Sequence, residues 1–560
     1  MPRFPLRRAA LTAGALAAAV YAAHLLEAQA RAAGLDAGVR GLAVLPPLAG
    51  IVLAFATRRL LPSLALAVAL GAGIAADFDP SRAATRLFVD YAGTLVLGDV
   101  SHLWIVVFTV ALIGTVTVAS EAGAIRAIVT RLAGVARGPR SAQLVAFVAG
   151  LVAFFDDYTN AILVGTAMRP LFDRLRISRE KLAFIVDSTS APVAGLAVIS
   201  TWIGYEVGLF EDAARALGLG ASGYEIFFRA LPFRFYCLFA LIFVFFNVTS
   251  GREFGPMRAA ELRARAQGGP RAEDEAAGEE AVPARAAWVA ILPIGLVLFG
   301  TLFGLLWDGG AFFGKGSLLS VATWREVLGA ADSTRVLGIA SLAGLLAVFA
   351  LALGLGRLSL GRAVRAFLHG ARTAAPAVGI LLLAWGLHAV CQDLRTSELL
   401  VAVLSDAIAP ALLPVATFLL AAATAFATGT SWGTMGILLP TVLPLAHHLG
   451  GVEIFVLCAA AVLDGAIFGD HVSPLSDTTV LSSAASGVEP MEHVRTQMPY
   501  ALVAYGVALI FGHGAAAVGM PALLSWPLGL LALGAAVRLL GARIEPAPTF
   551  VPAPSEPATS

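Results

Sequence analysis

The segment FFDDYTNAILVG, residues 154–165, interrupts an otherwise mostly apolar part of the chain with two adjacent carboxylates, Asp156 and Asp157, followed by Thr159 and Asn160. Asp, Asn and Thr favour helix caps and turns, so one interpretation is an ordinary turn between buried helices. Charged side chains inside a membrane are costly and usually mark a path for ions or protons. A turn in the middle of a membrane is tolerated only where it lines a cavity or is buried in protein. In a membrane protein the residues that form the turn would therefore also form the site.

The composition predicts a membrane protein. Of 560 residues, 58% are hydrophobic and 13% are charged, and the mean hydropathy is +0.84. This is too apolar for a soluble enzyme and predicts an all-α polytopic membrane protein. The net charge of +1 argues against nucleic acid as a partner. Cys237, Cys391 and Cys458 lie singly in apolar stretches, so they indicate neither a disulfide framework nor a metal site.

Basic and low-complexity stretches divide the chain. Residues 1–9 contain three arginines and precede an Ala-rich run, which is either a first transmembrane helix or a signal peptide cleaved near residues 28–30. We favour the uncleaved helix. Residues 251–285 are charged and rich in Ala, Gly and Pro, which predicts a cytoplasmic linker that is flexible or partly helical. The predicted boundaries are 1–41 for the N-terminal helix and loop, 42–250 and 286–541 for two transmembrane repeats, 251–285 for the linker, and 542–560 for a disordered cytoplasmic tail.

Two polar breaks predict re-entrant hairpins. Arg-rich loops flank residues 143–171 on both sides, and loops of this kind stay cytoplasmic. Each arm of this segment is too short to cross a bilayer, so we predict a hairpin that enters from the cytoplasm and turns at residues 156–160. The second break, FATGTSWGTMGILLP at residues 426–440, has flanks in which Arg395 is the one Lys or Arg. The same rule predicts that this hairpin enters from outside.

The two halves repeat one order of elements: a helix, a hairpin with a polar tip, and a helix broken by polar residues. The broken helices contain DSTSAPV at residues 187–193 and DGAIFGDHVSPLSDTTVLSS at residues 464–483. Because the hairpins are predicted to enter from opposite faces, the arrangement is an inverted-topology repeat, whose substrate site lies near the midplane where discontinuous helices meet. We predict about twelve transmembrane helices, with both termini in the cytoplasm.

A proline in each broken helix contributes to the predicted site. Proline removes the bond to the carbonyl four residues earlier, so it would free the carbonyls of Ser188 and Asp470 as ligands for a hard cation. On a continuous helix Asp470 would also share one face with Ser473 and Asp477.

Three segments together resemble a known family. FFDDYTNAILVG, KLAFIVDSTSAPVAGLAVISTWIGYEVG at residues 181–208 and GDHVSPLSDTTVLSS at residues 469–483 are similar to the signatures of the NhaC family of Na⁺/H⁺ antiporters, within the larger ion transporter superfamily. The resemblance extends over about residues 42–540. It implies secondary transport, proton-driven exchange against Na⁺, and an elevator-like arrangement in which hairpins and broken helices form the moving unit. Related family members exchange organic acids along with ions.

The leading hypothesis is therefore a cation/proton antiporter in the bacterial inner membrane. A carboxylate that binds Na⁺ when ionised and a proton otherwise gives exchange by competition, provided that burial brings its pKa near the working pH. Asp156 either belongs to this set or only caps the tip or pairs with an arginine, and Asp464 lies off the shared helix face. The predicted cation- and proton-binding residues are Asp156, Asp157, Thr159, Asn160, Asp187, Ser188, Ser190, Thr428, Thr430, Ser431, Asp470, Ser473, Asp477 and Thr478. The predicted Na⁺ ligands among them are Asp157, Asn160, Asp187, Asp470 and Asp477.

Other interpretations start from the same residues. A Na⁺- or H⁺-coupled carrier or exchanger of small organic acids would hold its anion on the helix N-termini at the hairpin tips, for which TGTS at residues 428–431 is suited. An intramembrane aspartyl protease is disfavoured because Ile467 occupies the first glycine place of the Gly-x-Gly-Asp form, so we expect no enzyme. His471 is either a metal ligand or proton relay, or a hydrogen-bonded helix residue, which we favour. We expect the His447–His448 pair at the outer surface.

The remaining predictions concern partners. We expect no cofactor, Na⁺ and H⁺ as the transported ions, and the lipid bilayer as the surroundings. A homodimer is left open.

Overall fold

The computed structural model describes residues 21, 31, 41–57, 59–267, 283–313, 321–404 and 409–544, and these are nearly all helical. The predicted N-terminal helix or signal peptide and most of the predicted tail, residues 545–560, lie outside the described residues. Helices suit a membrane because they satisfy every backbone polar group within one segment.

The helices of the first half lie on both sides of the first polar break in the sequence. They are α1 Leu45–Thr57, α2 Leu60–Ala75, α3 Pro80–Thr85, α4 Val100–Glu121, α5 Ala124–Ala133, α6 Pro139–Val152, α7 Asp157–Arg174, α8 Arg179–Thr189, α9 Ala191–Ala194, α10 Ile203–Ala216, α11 Gly223–Ala230 and α12 Phe235–Ser250. A π-helix, Arg86–Leu97, lies between α3 and α4, and 3₁₀ turns are found at Gly41–Val44 and Leu231–Phe233.

The helices of the second half begin within the charged segment, residues 251–285. They are α13 Gly255–Gln267, α14 Trp288–Asp308, α15 Val321–Ala330, α16 Ser333–Gly354, α17 Leu360–Asp393, α18 Thr396–Leu404, α19 Leu413–Thr428, α20 Ser431–His471, α21 Asp477–Ser486, α22 Pro490–Val507, α23 Ala515–Ala517 and α24 Ala522–Leu540. The 3₁₀ turns Ala284–Ala287 and Pro410–Leu412 and the π-helix Ala508–Gly514 complete this half.

Eight helices in the described part of the chain are long and apolar enough to span a membrane, or nine if the bent pair Gly223–Phe233 and Phe235–Ser250 is one span. The protein is therefore a multi-pass membrane protein. The prediction of about twelve crossings remains a prediction, because several helices around the polar segments are short. For example, α6 has 14 residues, which is about 21 Å of helix against a hydrocarbon core of about 30 Å.

Both polar breaks form tips between adjacent helices. At the first, α6 ends at Val152 and α7 begins at Asp157, and the two helices pack together. At the second, α19 ends at Thr428 and α20 begins at Ser431. Of the two residues between these helices, Gly429 has φ +69°, and a Cβ there would lie 2.7 Å from the backbone of Leu475, so the tip requires glycine for conformation and for space. Whether the two hairpins are re-entrant and inverted relative to the bilayer stays a prediction.

Each hairpin leads into an interrupted helix. In the first half α8 stops at Thr189 and only the single turn α9 follows. In the second half α20 changes direction at Gly450 and Gly451, whose backbone is not helical, and stops at His471. A non-helical segment, residues 472–476, precedes α21. Both halves thus contain an interrupted helix after the polar tip, and the internal repeat stays a prediction.

The break after α20 corrects one prediction. Asp470, Ser473 and Asp477 do not share a helix face, because the helix ends at His471 and a new one begins at Asp477. The carbonyl of Asp470 is not freed for a cation either, since it accepts a hydrogen bond from Ser473 N at 3.0 Å. Pro474, which ends helices and restricts the residue before it, here separates two helices instead of kinking one.

The first part of the charged segment is ordered. Strand β1, Arg252–Glu253, pairs antiparallel with β2, Ala542–Arg543, and α13 follows directly. Residues 268–282 lie outside the described part. The pairing places the start of this segment and the end of α24 at the same face of the molecule.

The helices α19 and α20 pack closely just before the break at residues 472–476. Gly465 and Gly469 of α20 lie against α19, where an added Cβ would come within 2.4 Å of Phe418 O and 2.3 Å of Ala422 O. Small residues spaced four apart allow the backbones of membrane helices to approach closely. This contact holds the end of α20, with Asp470, against the helix that leads to the second tip.

Candidate cation and proton site

Asp156 is the cap of the first tip. Its backbone is extended, with φ −159° and ψ 126°, and its Oδ2 accepts hydrogen bonds from Thr159 N at 2.8 Å and Thr159 Oγ1 at 2.5 Å. These two hydrogen bonds tie the carboxylate of Asp156 to the first turn of α7, as expected of an Asp N-cap. Of the two adjacent carboxylates, Asp157 is the one that is not occupied by capping.

Asp157 and Asp477 occupy equivalent places. Each is the first residue of its helix, α7 or α21, and these two helices pack together. The hydroxyl of Tyr158 donates to Asp477 and so links the two helix ends. The positive end of each helix dipole favours a carboxylate at this position.

The buried carboxylates form one electrostatic group. Asp157 interacts with the charges of Asp156 and Asp477, and Asp470 interacts with those of Asp477, Asp187 and Asp157. Like charges that are removed from water repel each other strongly, so the group cannot be fully ionised at low cost without compensating positive charge. A bound cation or a proton would supply that charge.

Two of the predicted Na⁺ ligands carry an oxygen that is buried without a hydrogen-bond partner. Asn160 uses its Nδ2 to donate to Gly150 O at 2.9 Å and Thr189 O at 2.6 Å, which leaves its Oδ1 as an acceptor. Asp470 accepts from Thr478 Oγ1 at 3.2 Å through Oδ2, and its Oδ1 has no partner. Unpaired buried acceptors are costly, and they suit an oxygen-preferring cation.

Asp187, in contrast, is saturated by donors from the second half. Its Oδ2 accepts from Gln497 Nε2 at 2.8 Å and from Thr479 Oγ1 at 3.2 Å, and it lies 3.2 Å from His493 Nε2. The hydroxyl of Ser482 reaches its Oδ1 at 3.4 Å. Asp187 therefore joins the first broken helix to α21 and α22.

Sequence reasoning missed His493 and Gln497. They stand four residues apart on α22, so both point to the same side of the helix. This spacing, just after the charged start of the helix, is the sequence feature that could have identified them. Tyr158 was missed as well, because an aromatic residue beside Asp-Asp carries no distinctive pattern.

The hydroxyls of Ser188 and Ser190 in the first broken helix both have hydrogen-bond partners. Ser188 Oγ lies 3.2 Å from His471 Nε2, and His471 Nδ1 lies 2.7 Å from the hydroxyl of Tyr236. His471 is thus a hydrogen-bonded residue at a helix end, as favoured. Ser190 donates to Val186 O at 2.9 Å within its own helix.

The second tip lies against the break after α20. Thr430 caps α20 by accepting from Gly433 N at 3.2 Å, and Thr428 donates to Thr424 O at 2.8 Å within its own helix. Ser431, the first residue of α20, is buried. Ser473 donates to Phe426 O at 2.7 Å and so fastens the break to the tip. Thr428, Thr430 and Ser473 therefore serve the geometry of the tip.

The described residues contain no group of three or more His, Cys, Asp or Glu side chains placed to hold a metal ion. The four predicted aspartate ligands are therefore not gathered around a single point. A cation here needs amide, hydroxyl or carbonyl oxygens beside the carboxylates. Hard monovalent and divalent cations accept such mixed oxygen ligands.

A multi-pass helical protein with two broken helices and buried carboxylates at their junction has the architecture of a secondary transporter. Residues 193–513 match the Na⁺/H⁺ antiporter family. The chain belongs to this family, as the resemblance predicted, and it is a transporter and not an enzyme.

Individual relatives agree with this assignment. The chain is 32% identical to an uncharacterised protein of Haemophilus influenzae over 82% of its own length and 87% of that protein. It is 40% identical to the malate-2H⁺/Na⁺-lactate antiporter of Bacillus subtilis, over 18% of this chain and 21% of the relative.

A solved structure shares the fold. The YdaH transporter of Alcanivorax borkumensis superposes with a TM-score of 0.52 at 16% sequence identity, over 80% of this chain and 90% of that one. At that identity the likeness concerns the fold alone.

Proposed function

We propose that this protein exchanges Na⁺ for H⁺ across the bacterial cytoplasmic membrane, with both termini in the cytoplasm. The observation that carries the proposal is the buried group of Asp157, Asp470 and Asp477 beside two unpaired oxygens, Asn160 Oδ1 and Asp470 Oδ1. Membership of the Na⁺/H⁺ antiporter family supports Na⁺ and H⁺ as the transported ions.

Competition for one set of oxygens gives the exchange. When the carboxylates are ionised, their combined negative charge and the oxygen of Asn160 attract Na⁺, which needs no directional bonds. When protons neutralise them, the attraction is lost and Na⁺ leaves. The same groups thus bind either ion but not both, which is the condition for coupled exchange.

The predicted ligands contribute unequally to this proposal. We assign direct contacts with Na⁺ to Asn160 and Asp470, whose Oδ1 atoms have no hydrogen-bond partner, whereas Asp157 and Asp477 contribute their negative charge. Asp187 already receives hydrogen bonds from Gln497, Thr479 and Ser482, so it would contact Na⁺ only after exchanging those partners. Its role in the proposal is to hold the two broken helices together.

The decisive experiment is Na⁺-dependent proton movement in everted vesicles from cells that lack their own antiporters. Adding Na⁺ to vesicles with an imposed pH gradient should dissipate the gradient in proportion to the amount of transporter. Vesicles without the protein are the control. If Na⁺ leaves the gradient unchanged at every pH tested, Na⁺/H⁺ exchange is not the activity.

A second candidate function is exchange of small organic acids coupled to Na⁺ or H⁺. The observation that favours it is the likeness to the Bacillus subtilis relative, whose activity includes malate and lactate. The start of α20 at the second tip is free of acidic residues in its first turn, so its backbone N–H groups suit a carboxylate. Proteoliposomes given Na⁺ alone and then Na⁺ with malate or lactate separate the two activities, because only the second requires the acid.

A further inference from the structure

A second group of buried charges lies outside the carboxylate group. It consists of Glu206 on α10, Arg234 immediately before α12, and Asp464 on α20, each at most 1% exposed. Glu206 ends the STWIGYE segment, residues 200–206, to which the proposed exchange mechanism gives no role. Ion pairs this deep are stable only when each charge is matched and hydrogen-bonded.

The two acids differ in the number and quality of their hydrogen bonds. Asp464 accepts from Arg234 Nε at 3.1 Å and from Tyr236 N at 2.7 Å, and His513 Nε2 lies 3.4 Å from its Oδ2. Glu206 reaches Arg234 Nη1 only at 3.5 Å through Oε2, and its Oε1 is buried without a partner.

The charges are therefore unequal in number. The titratable groups that face this site are Arg234, Asp464, Cys237 and His513. Arg234 is the side chain here that carries a positive charge at every working pH, and Asp464 has the better contact with it, so with His513 neutral one acid is unmatched. An ionised Glu206 would add an unmatched, half-bonded negative charge in the interior, and a proton on Glu206 removes that cost.

The same arginine touches the first broken helix. Arg234 Nη1 donates to Gly195 O at 2.9 Å, at the end of α9. A Cβ on Gly195 would lie 2.9 Å from Arg234 Nη2, so the two are in close contact. Glu206 and Gly195 O thus bind the same guanidinium nitrogen, which carries two N–H groups. An ionised Glu206 draws Nη1 toward itself and away from Gly195 O, and a protonated one does not.

We propose that Glu206 is a second proton-binding site, separate from the cation site, and that Arg234 transmits its protonation to the broken helix through Gly195. The proposal rests on the proposed Na⁺/H⁺ exchange. It predicts that one of the protons moved in each cycle is carried on Glu206, while the Asp157 group carries the ion that competes with Na⁺.

The test is the number of protons exchanged per Na⁺ in proteoliposomes. This number is obtained from the pH gradient at which a fixed Na⁺ gradient drives no net transport, so it does not depend on the transport rate of the variant. Glu206→Gln has nearly the same shape but cannot release a proton, so its ratio should be one proton lower than that of the wild type.

Exchange of radioactive Na⁺ for Na⁺ without a pH gradient should stay within about twofold of the wild type, because the cation site is untouched. Glu211→Gln on the same helix α10, whose Oε2 contacts Gly223 N, is the matched control and should keep the wild-type ratio.

Each result has a defined meaning. If the wild type moves no protons in response to Na⁺, the proposed function fails. If the wild type does so and Glu206→Gln keeps the same ratio, the second proton site is overturned while the proposed function stands. Loss of Na⁺/Na⁺ exchange in a Glu206→Gln protein that is still monodisperse would also overturn it, since that shows a purely structural role. If Glu206→Gln does not fold, Glu206→Asp decides: it keeps an acid at a changed distance from Arg234, so a shifted pH profile supports the proposal and an unshifted one overturns it.

Discussion

At the scale of single residues, the two adjacent carboxylates of the first tip have separate tasks. Asp156 uses its side chain to cap α7 through Thr159, whereas Asp157 faces the charges of Asp470 and Asp477. Asparagine is nearly as good an N-cap as aspartate. It cannot, however, balance a cation or release a proton.

This division predicts different effects for the same substitution. Asp157→Asn should abolish Na⁺-dependent proton movement while the protein remains folded, because only the charge is lost. Asp156→Asn should retain most of the activity, and Asp156→Ala should lower the stability by about 1 kcal/mol through loss of the cap. Transport in vesicles and thermal unfolding of the purified variants measure the two effects. Near-normal exchange in Asp157→Asn would show that another carboxylate carries the ion.

A second residue-scale prediction concerns the second tip. Gly429→Ala should lower the thermal stability and the transport rate, because φ +69° is unfavourable for alanine and its Cβ would meet the backbone of Leu475. Gly506→Ala on α22 is the control, since a Cβ there meets nothing within 4 Å and alanine favours a helix. Equal stability of the two variants would contradict the close contact between the tip and the break.

At the scale of elements, α13 is fastened to the helix that carries Asp187. Glu261 Oε1 accepts from Ser178 N at 2.9 Å and Ser178 Oγ at 2.7 Å at the start of α8. Lys181, also on α8, pairs with Glu253 of β1 at 2.8 Å. The far end of α8 bears Asp187, so a change in this contact can reach the site along one rigid helix.

This contact should depend on pH. Burial, and then repulsion by Glu253, raise the pKa of Glu261 to about 7. A raised pKa means that the docked helix binds the proton more tightly than the released one, so docking is strongest below about pH 4.5 and weakens as the pH rises through about 7. Hydrogen exchange of α13, corrected for the intrinsic rate, should therefore be faster at alkaline than at acidic pH. Glu261→Gln should remove the dependence, and faster exchange at acidic pH in the wild type would contradict it.

At the scale of the whole molecule, the topology is the main open prediction. The Arg-rich flanks of the first hairpin place both of its ends in the cytoplasm. The length of α6, 14 residues, agrees with an arm that does not cross. An arm that crossed the bilayer would instead bring the two ends to opposite faces.

Cysteine labelling tests this arrangement. Cysteines at Arg137 and Arg174, both exposed at the two ends of the hairpin, should resist a membrane-impermeant reagent added to whole cells and react after the cells are opened. A cysteine at Ala216, the exposed last residue of α10, should react in both cases, because the Arg-poor stretch of residues 203–228 favours the outside. The native cysteines are buried and should contribute little background. Labelling of only one of the two hairpin positions from outside would turn the hairpin into a crossing and remove the inverted repeat.

The sequence by itself determined the class of protein and the places where its helices stop. Long apolar runs can be satisfied in a bilayer only as helices, and acidic residues within them mark the site because charge is costly there. The breaks at residues 153–156, 429–430 and 472–476 could be found because Asp, Gly, Ser and Pro act locally on the backbone.

Only the tertiary structure decided which polar residues serve the site and which serve the fold. The assignment of Asp470, Ser473 and Asp477 to one helix face failed because periodicity assumes a continuous helix, whereas this helix ends at His471 and Ser473 is bonded to Phe426 O beside the second tip. The partners of Asp187 lie about 300 residues away in the chain, and Asp464 lies 230 residues away from its partner Arg234. Such contacts depend on how distant helices pack, and no local pattern of residue types specifies them.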